Sequence, residues 1–208
     1  MNKLAIIIPY YKIEHFEDTI KSVASQTDKR FTLYIGNDAS SNNPLPIIAK
    51  YLNSQDYHYF DYKGNLGGQN LAMQWERILD NVTEDWFQIL GDDDIIEENF
   101  VEEFYNIIYS LPHHINLIRV NNLYFNDKLK IIREGLRYDK IVTTNILLRD
   151  KIYYKTVSTL SENIFRKSAF DLVGFRHYPV AWHTDDMIIL EITKFGDFYY
   201  SEKTSVKI

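Results

Sequence analysis

Cysteine is absent from all 208 residues. Disulfide staples and thiolate chemistry are therefore excluded, and a reducing compartment is permitted. Long apolar runs are absent too: no stretch approaches the ~18 residues of a membrane-spanning helix. The apolar opening from Leu4 to Ile8 is too short for the core of a signal peptide, and Pro9 ends it. Basic residues are not in excess. Lys and Arg number 23 against 29 Asp and Glu, a net charge of −6. That balance disfavours nucleic acid, which wants a basic face. Internal repeats, low-complexity tracts and linkers are missing as well. The chain reads as one cytoplasmic domain over residues 1–208, with association at the inner face of a membrane left open. What is present is a 45% apolar complement, enough for a substantial core.

The first half alternates between two periods. Leu4 to Ile8 is a continuous β-branched and apolar run, the pattern of a strand buried on both faces. From Glu14 to Gln26, the residues Phe16, Ile20, Val23 and Ala24 fall on one helical face. Phe31–Gly36, Tyr57–Tyr62 and Trp86–Leu90 read as further strands, and Pro44–Leu52, Leu71–Leu79 and Asn99–Tyr109 as helices. Strand and helix in units of about 30 residues argue for a parallel sheet covered on both faces. Ligands of such sheets bind beyond the carboxyl ends of the strands. Three polar loops fall there: Tyr10 to Lys12, Asn37 to Asn42, and Gly91 to Asp94.

The second half is less regular. Asn116–Phe125, Lys130–Glu134, Thr159–Arg166 and Phe198–Tyr200 read as strands with mixed pairing. Thr143–Tyr153, Lys167–Leu172 and Met187–Phe195 read as helices, the last with Thr184 or Asp185 as its N-cap.

The triplet Asp92-Asp93-Asp94 follows an apolar strand, and apolar residues resume at once behind it. Burying three carboxylates without partners costs several kcal/mol per ion. A hard divalent cation, Mg²⁺ or Mn²⁺, relieves both desolvation and mutual repulsion, because it prefers carboxylate oxygen. The plainer alternative is a helix cap.

Several segments then agree in order with one family. Ile6-Ile7-Ile8-Pro9-Tyr10-Tyr11, followed by Ser22-Val23-Ala24-Ser25-Gln26-Thr27, resembles the first strand and helix of the family 2 glycosyltransferases. Asn37-Asp38-Ala39-Ser40 resembles their "DDGS" loop, and Asn65 to Asn70 a shortened N-x-G-x-x-x-A-x-N loop. Gly91-Asp92-Asp93-Asp94 resembles their "D-x-D-D" metal motif. Asn163-Ile164-Phe165-Arg166 through Gly174-Phe175 resembles "lFr…vGgF", and Asp185-Asp186 stands where the family has "E-D". Three positions depart from the pattern: Asn37, Gly91 and Asp185 replace two Asp and a Glu.

The resemblance implies an α/β GT-A fold with a mostly parallel mixed sheet. It divides the chain into a nucleotide-sugar half, about 1–110, and an acceptor half, about 111–208. It implies an inverting transfer from a nucleotide-diphospho-sugar, UDP-sugar favoured, to a saccharide or lipid-linked acceptor of a surface polysaccharide, with Mn²⁺ or Mg²⁺ as cofactor. Asp93 is expected to ligate the metal, with Asp94 through water or as a cap, and Asp92 to lie near the ribose or sugar. Asp38 is expected to accept from the base, Pro9 and Tyr10 to border the nucleotide with Tyr10 stacking, and Gly68 and Asn70 to line the pocket floor. Asp186 is the expected general base, with Asp185 as alternative. Trp182 is a candidate sugar-stacking wall, and Arg166 a candidate diphosphate contact. Two other functions compete. A sugar nucleotidyltransferase needs a Gly-rich loop after the first strand, and Pro9-Tyr10-Tyr11-Lys12 has no glycine. A non-catalytic GT-A binding module draws on Gly91 and Asn37.

Overall fold

The computed structural model describes residues 2–126 and 130–208. Its first half runs β1 (Leu4–Tyr10), α1 (Phe16–Ala24), β2 (Phe31–Asp38), α2 (Leu45–Tyr51), β3 (Tyr57–Tyr62), α3 (Leu71–Leu79) and β4 (Trp86–Ile89). There follow β5 (Ile95–Ile96), α4 (Phe100–Ile108), β6 (Leu117–Phe125), β7 (Ile131–Glu134), β8 (Ile141–Thr143) and α5 (Thr144–Ile152). The chain ends with β9 (Asn163–Arg166), α6 (Lys167–Val173), a 3₁₀ turn at Pro179–Ala181, α7 (Thr184–Ile192) and β10 (Asp197–Lys207).

One sheet in the order β3-β2-β1-β4-β9-β6-β10-β5 joins both halves, with β7 on β6 and β8 on β10. The strand period decides its two layers. Leu4, Ile6 and Ile8 of β1 pack with α1, α2 and α4, while Ala5 and Ile7 face α3, α6 and α7. All five are fully buried, and each isoleucine or leucine contributes about 1.5–3 kcal/mol by leaving water. β1, β2, β3 and β4 are parallel, and β6 is parallel to β10. β9 runs antiparallel between β4 and β6.

That antiparallel insertion positions the site. The turn before β9, residues 159–162, is brought to the carboxyl end of β4. The far end of β9 lies opposite: Arg166 pairs with Trp86 at the start of β4. Arg166 hydrogen-bonds Asn116 and Ile115 there and covers the Trp86 ring at 4.4 Å. It is a structural residue, distant from any diphosphate held at the Asp triplet.

Some boundaries differ from the sequence reading. Residues 159–162 form a turn instead of the start of β9, because their polar groups wrap the Glu162 carboxylate. α7 begins at Thr184, so Asp185 and Asp186 stand in its first turn. Neither Thr184 nor Asp185 is the cap: the buried Thr184 hydroxyl donates to Arg176 O at 2.8 Å, and His183 takes the cap position. β5 and β8 are too short for an alternation to show. β10 extends well past Tyr200 because its polar residues pair with β6 through an irregular register.

Candidate active site

The chain leaves β4 through Leu90, whose N–H donates to Ile7 O at 2.8 Å, and turns where Asp94 N–H donates to Gly91 O at 3.2 Å. The three carboxylates then part company. Asp92 Oδ2 accepts from both Tyr11 N–H and Lys12 N–H at 2.7 Å. It thereby ties the β4 loop to the loop after β1. Burial raises its pKa above the ordinary carboxylate range, against the pull of those two amides. Asp94 turns inward and is 7% exposed. It accepts from Ser161 Oγ, which itself accepts from Gly91 N–H at 3.0 Å. Burial pushes the Asp94 carboxyl up to about 7, with Asp93 and Glu162 adding to the rise. Asp93 alone points outward.

Gly91 makes this arrangement fit. A Cβ built there falls 2.6 Å from Asp94 Oδ2 and 3.2 Å from Asp93 Oδ1. A side chain at 91 therefore requires the Asp94 carboxylate to shift, and the glycine leaves it room to sit against the turn.

Behind Asp94 lies a buried network that the sequence reading missed. The fully buried Glu162 accepts from Arg119 at 2.8 Å, Thr159 N–H at 2.8 Å and Asn122 at 3.0 Å. Arg119 reaches Ser158 at 2.9 Å and Asn163 at 3.1 Å. Ser161 and Glu162 directly precede the Asn163–Arg166 motif, and this adjacency was their one signal. The paired, hydrogen-bonded charges make this turn costly to disturb.

Asp93, Asp94 and Thr159 border a cleft of about 400 Å³. Its other walls include His15 at the start of α1, and Phe125 and Lys207 from the ends of β6 and β10. The parallel β6 and β10 bring those ends to the same edge as the triplet. Asp93 is the exposed carboxylate of the triplet, and Asp18 of α1 is a second exposed carboxylate at this cleft. Among the described residues no three His, Cys, Asp or Glu converge as a self-contained metal cage. One or two carboxylates suffice when a diphosphate and water complete the shell of Mg²⁺ or Mn²⁺, and Asp93 with its open face fits that use.

The expected nucleotide residues are placed differently. Asp38 is 1% exposed. Its carboxylate accepts from Leu66 N–H at 2.8 Å, Gly67 N–H at 2.7 Å and the Arg77 guanidinium. These contacts fold the 65–70 loop over it, and no open acceptor faces a base in this conformation. A carboxylate at a strand end meeting loop amides satisfies its lone pairs locally. Tyr10 is also corrected. Strand alternation puts its ring in the core, 4.5 Å from that of Phe16, with its hydroxyl donating to Asn42 O at 3.0 Å. It is fully buried and cannot stack on a base, whereas Tyr11 is 46% exposed. Pro9 lies within β1, paired with Gly36. Asn70 caps α3: its Oδ1 accepts from Ala72 N–H at 2.9 Å, and its amide donates to Tyr178 O at 3.4 Å. Gly68 is exposed, and its N–H donates to Asn65 Oδ1 within the same loop. Neither residue is among those lining the cleft at Asp93.

At the start of α7, Asp185 and Asp186 share one cation. Lys151 Nζ from α5 donates to Asp186 Oδ1 and lies 3.3 Å from Asp185 Oδ2. His183 Nδ1 sits 2.8 Å from Asp186 Oδ2. Burial raises the Asp185 pKa, Lys151 opposes it, and Asp186 adds to it. Trp182 is 71% exposed and stacks on His183 with centroids 5.7 Å apart. His177 pairs with Glu76 at 2.7 Å. Lys151 lies in no motif and nothing in the sequence marked it.

The family model for glycosyl transferase family 2 matches residues 5–171. The chain belongs to this family. The match includes the Asp triplet and the Asn163–Arg166 segment and stops short of Asp185 and Asp186. Teichoic acid poly(glycerol phosphate) polymerase of Staphylococcus epidermidis is 28% identical over 79% of this chain and 24% of its own length. Poly-β-1,6-N-acetyl-D-glucosamine synthase of Staphylococcus aureus is 25% identical over 85% of this chain and 40% of its own. The chain thus spans less than half the length of these curated relatives. Among solved structures, S. aureus TarS 1–349 in complex with UDP-GlcNAc superposes with a TM-score of 0.74 at 17% identity, over 99% of this chain and 58% of that one. The shared fold is the GT-A fold.

Proposed function

We propose that this family 2 domain is an inverting, metal-dependent glycosyltransferase. It moves a sugar from a nucleotide-diphospho-sugar, UDP-sugar favoured, to a saccharide or lipid-linked saccharide acceptor in surface polysaccharide synthesis. The observation that carries the reading is the division of labour in the triplet. Asp92 fixes the β1 loop, Asp94 braces the turn through Ser161, and Asp93 is the one member of the triplet left exposed at the cleft. The TarS complex with UDP-GlcNAc supports the uridine donor, and the names of the curated relatives support a polymer acceptor.

In transfer, the acceptor oxygen forms a bond to the anomeric carbon as the bond from that carbon to the diphosphate breaks. The electron pair leaves with the diphosphate, and the acceptor hydroxyl gives its proton to a carboxylate. Asp93 would hold the divalent ion, which when bound would supply Lewis-acid stabilisation of the leaving diphosphate. Asp186 is the assigned base, with Asp185 as the alternative. Trp182 offers a flat exposed face for a sugar ring. The carboxylates of the two sides belong to different elements, the β4 loop and the start of α7.

Calorimetry with UDP, GDP and their sugar nucleotides, with and without Mn²⁺, tests the reading. Nucleotide binding that requires metal and is lost in Asp93→Ala is the expected result. Absence of nucleotide binding in the presence of metal overturns it. The covered Asp38 favours one second reading, a non-catalytic module, whose mark is binding without transfer to any acceptor.

A further inference from the structure

We propose that Lys151 is the positioning residue of the proton-accepting carboxylates. Its ammonium bridges Asp185 and Asp186 at the start of α7. The inference rests on the glycosyltransferase reading above and adds to it a residue that lies outside every recognised motif.

The geometry is specific. Lys151 Nζ reaches both carboxylates and also lies 3.4 Å from Ser158 O, so its donors are distributed over three acceptors. Its side chain is 25% exposed, and those of Asp185 and Asp186 are 24% and 13% exposed. Adjacent carboxylates in such surroundings repel, and one of them tends to take a proton. A protonated carboxylate cannot accept the proton of an acceptor hydroxyl. A compact ammonium with rotatable donors can serve two carboxylates at once.

The surrounding charges leave this task to Lys151. His183 faces Asp186 Oδ2 from the turn before α7. Arg176, from the same segment, is engaged with Glu191 further along α7 at 2.8–2.9 Å. Lys167 of α6 is paired with Asp171 at 2.6 Å, and His177 with Glu76 of α3. α5, packed on α7, contributes the cation that reaches both carboxylates. The position of α5 is itself anchored: Thr144 N–H and hydroxyl donate to Gly196 O at 2.9 and 3.1 Å.

Two measurements on Lys151→Met and Lys151→Arg test the proposal. In ¹³C-aspartate-labelled protein, carboxyl titrations of the Met variant are expected to move to higher pH, while those of the Arg variant stay near the wild type. The acid limb of kcat/KM is expected to move up with them by about one pH unit, an approximately tenfold loss on the acid side. A merely structural lysine lowers activity evenly across pH and leaves the limb in place. Should Lys151→Met fail to fold, Lys151→Gln keeps the polar packing and removes the charge. Unmoved carboxyl titrations overturn the clamp. Moved titrations with an unmoved limb overturn Asp185 and Asp186 as proton acceptors, the reading on which the proposal rests.

Discussion

The sharpest disagreement between motif and geometry lies at Asp38, and Asp38→Asn separates the two roles. If Asp38 braces the 65–70 loop, the substitution strikes stability. The amide keeps the shape of the carboxylate but has one acceptor oxygen, while Leu66 N–H, Gly67 N–H and Arg77 all donate to the site. Its NH₂ group then faces a donor. Breaking one side of a buried ion pair costs about 3–5 kcal/mol. The Arg77 side chain is 17% exposed. It also donates to Gly64 O at 3.0 Å and covers the Tyr62 ring at 3.7 Å. The lower end, about 3 kcal/mol, is therefore expected. For a chain of this size each kcal/mol shifts Tm by ~2–4 °C, so thermal unfolding should move down by roughly 6–12 °C. Circular dichroism or calorimetric melting of both proteins measures it, with UDP affinity measured in parallel. A melting point within about 2 °C of wild type, together with lost UDP affinity, refutes the brace and restores Asp38 as the base acceptor.

Four further outcomes follow from the same contacts. Gly91→Ala drives a methyl into the seat of Asp94 and should cost about 1–3 kcal/mol by overpacking, read by denaturant melts, with weaker metal-stimulated UDP binding. Removing metal with a chelator should lower UDP affinity to the level of Asp93→Ala, and the chelator should have no further effect on that variant, as calorimetry will show. Tyr10→Phe deletes the hydroxyl bond to Asn42 O, worth about 1 kcal/mol, and should leave UDP affinity unchanged. Glu162→Gln leaves the buried Arg119 without its counter-charge and should lower stability by about 3–5 kcal/mol in the same melts.

The first half of the fold was legible because burial writes a clear period. β1 reads as a double-faced strand because Leu4 to Ile8 are apolar without interruption, and α3 from Leu71 to Leu79 was placed without error. The second half was less so, because its strands are antiparallel, short or polar. β9 carries four residues, and the buried polar Asn121, Asn122 and Ser205 lie in β6 and β10. In the candidate site, the sequence showed which residue types are gathered but not which way they turn. Asp92, Asp93 and Asp94 are chemically identical, and only the placement of Tyr11, Lys12 and Ser161 distinguishes them. The sequence reading ended β1 at Ile8 and left Tyr10 in a loop, whereas the strand runs on through Tyr10 and alternation puts its ring on the buried face of Ile6 and Ile8. Lys151 and Arg119 were invisible for another reason. Each is a lone cation whose meaning comes from a carboxylate more than thirty positions away.

These distant cations give the site its physical order. At Asp94 a buried carboxylate accepts from a hydroxyl, so Ser161 fixes the turn without itself adding a charge, and the lysine of the cleft, Lys207, comes from β10. At Asp185 and Asp186 a lysine sits directly on the pair. Under the proposed function a metal and a diphosphate at Asp93 would bring their own charges, and a fixed cation beside Asp93 would compete with the metal for its oxygens. A proton acceptor has the opposite need, because without a nearby cation adjacent carboxylates resist ionising together. Exchanging the two environments tests this division. Ser161→Lys, which puts an ammonium against Asp94, should depress metal-stimulated UDP binding while leaving the acid limb of turnover in place. Lys151→Met should do the reverse. If both variants move the same parameter, the two carboxylate groups do not divide the work between leaving group and proton.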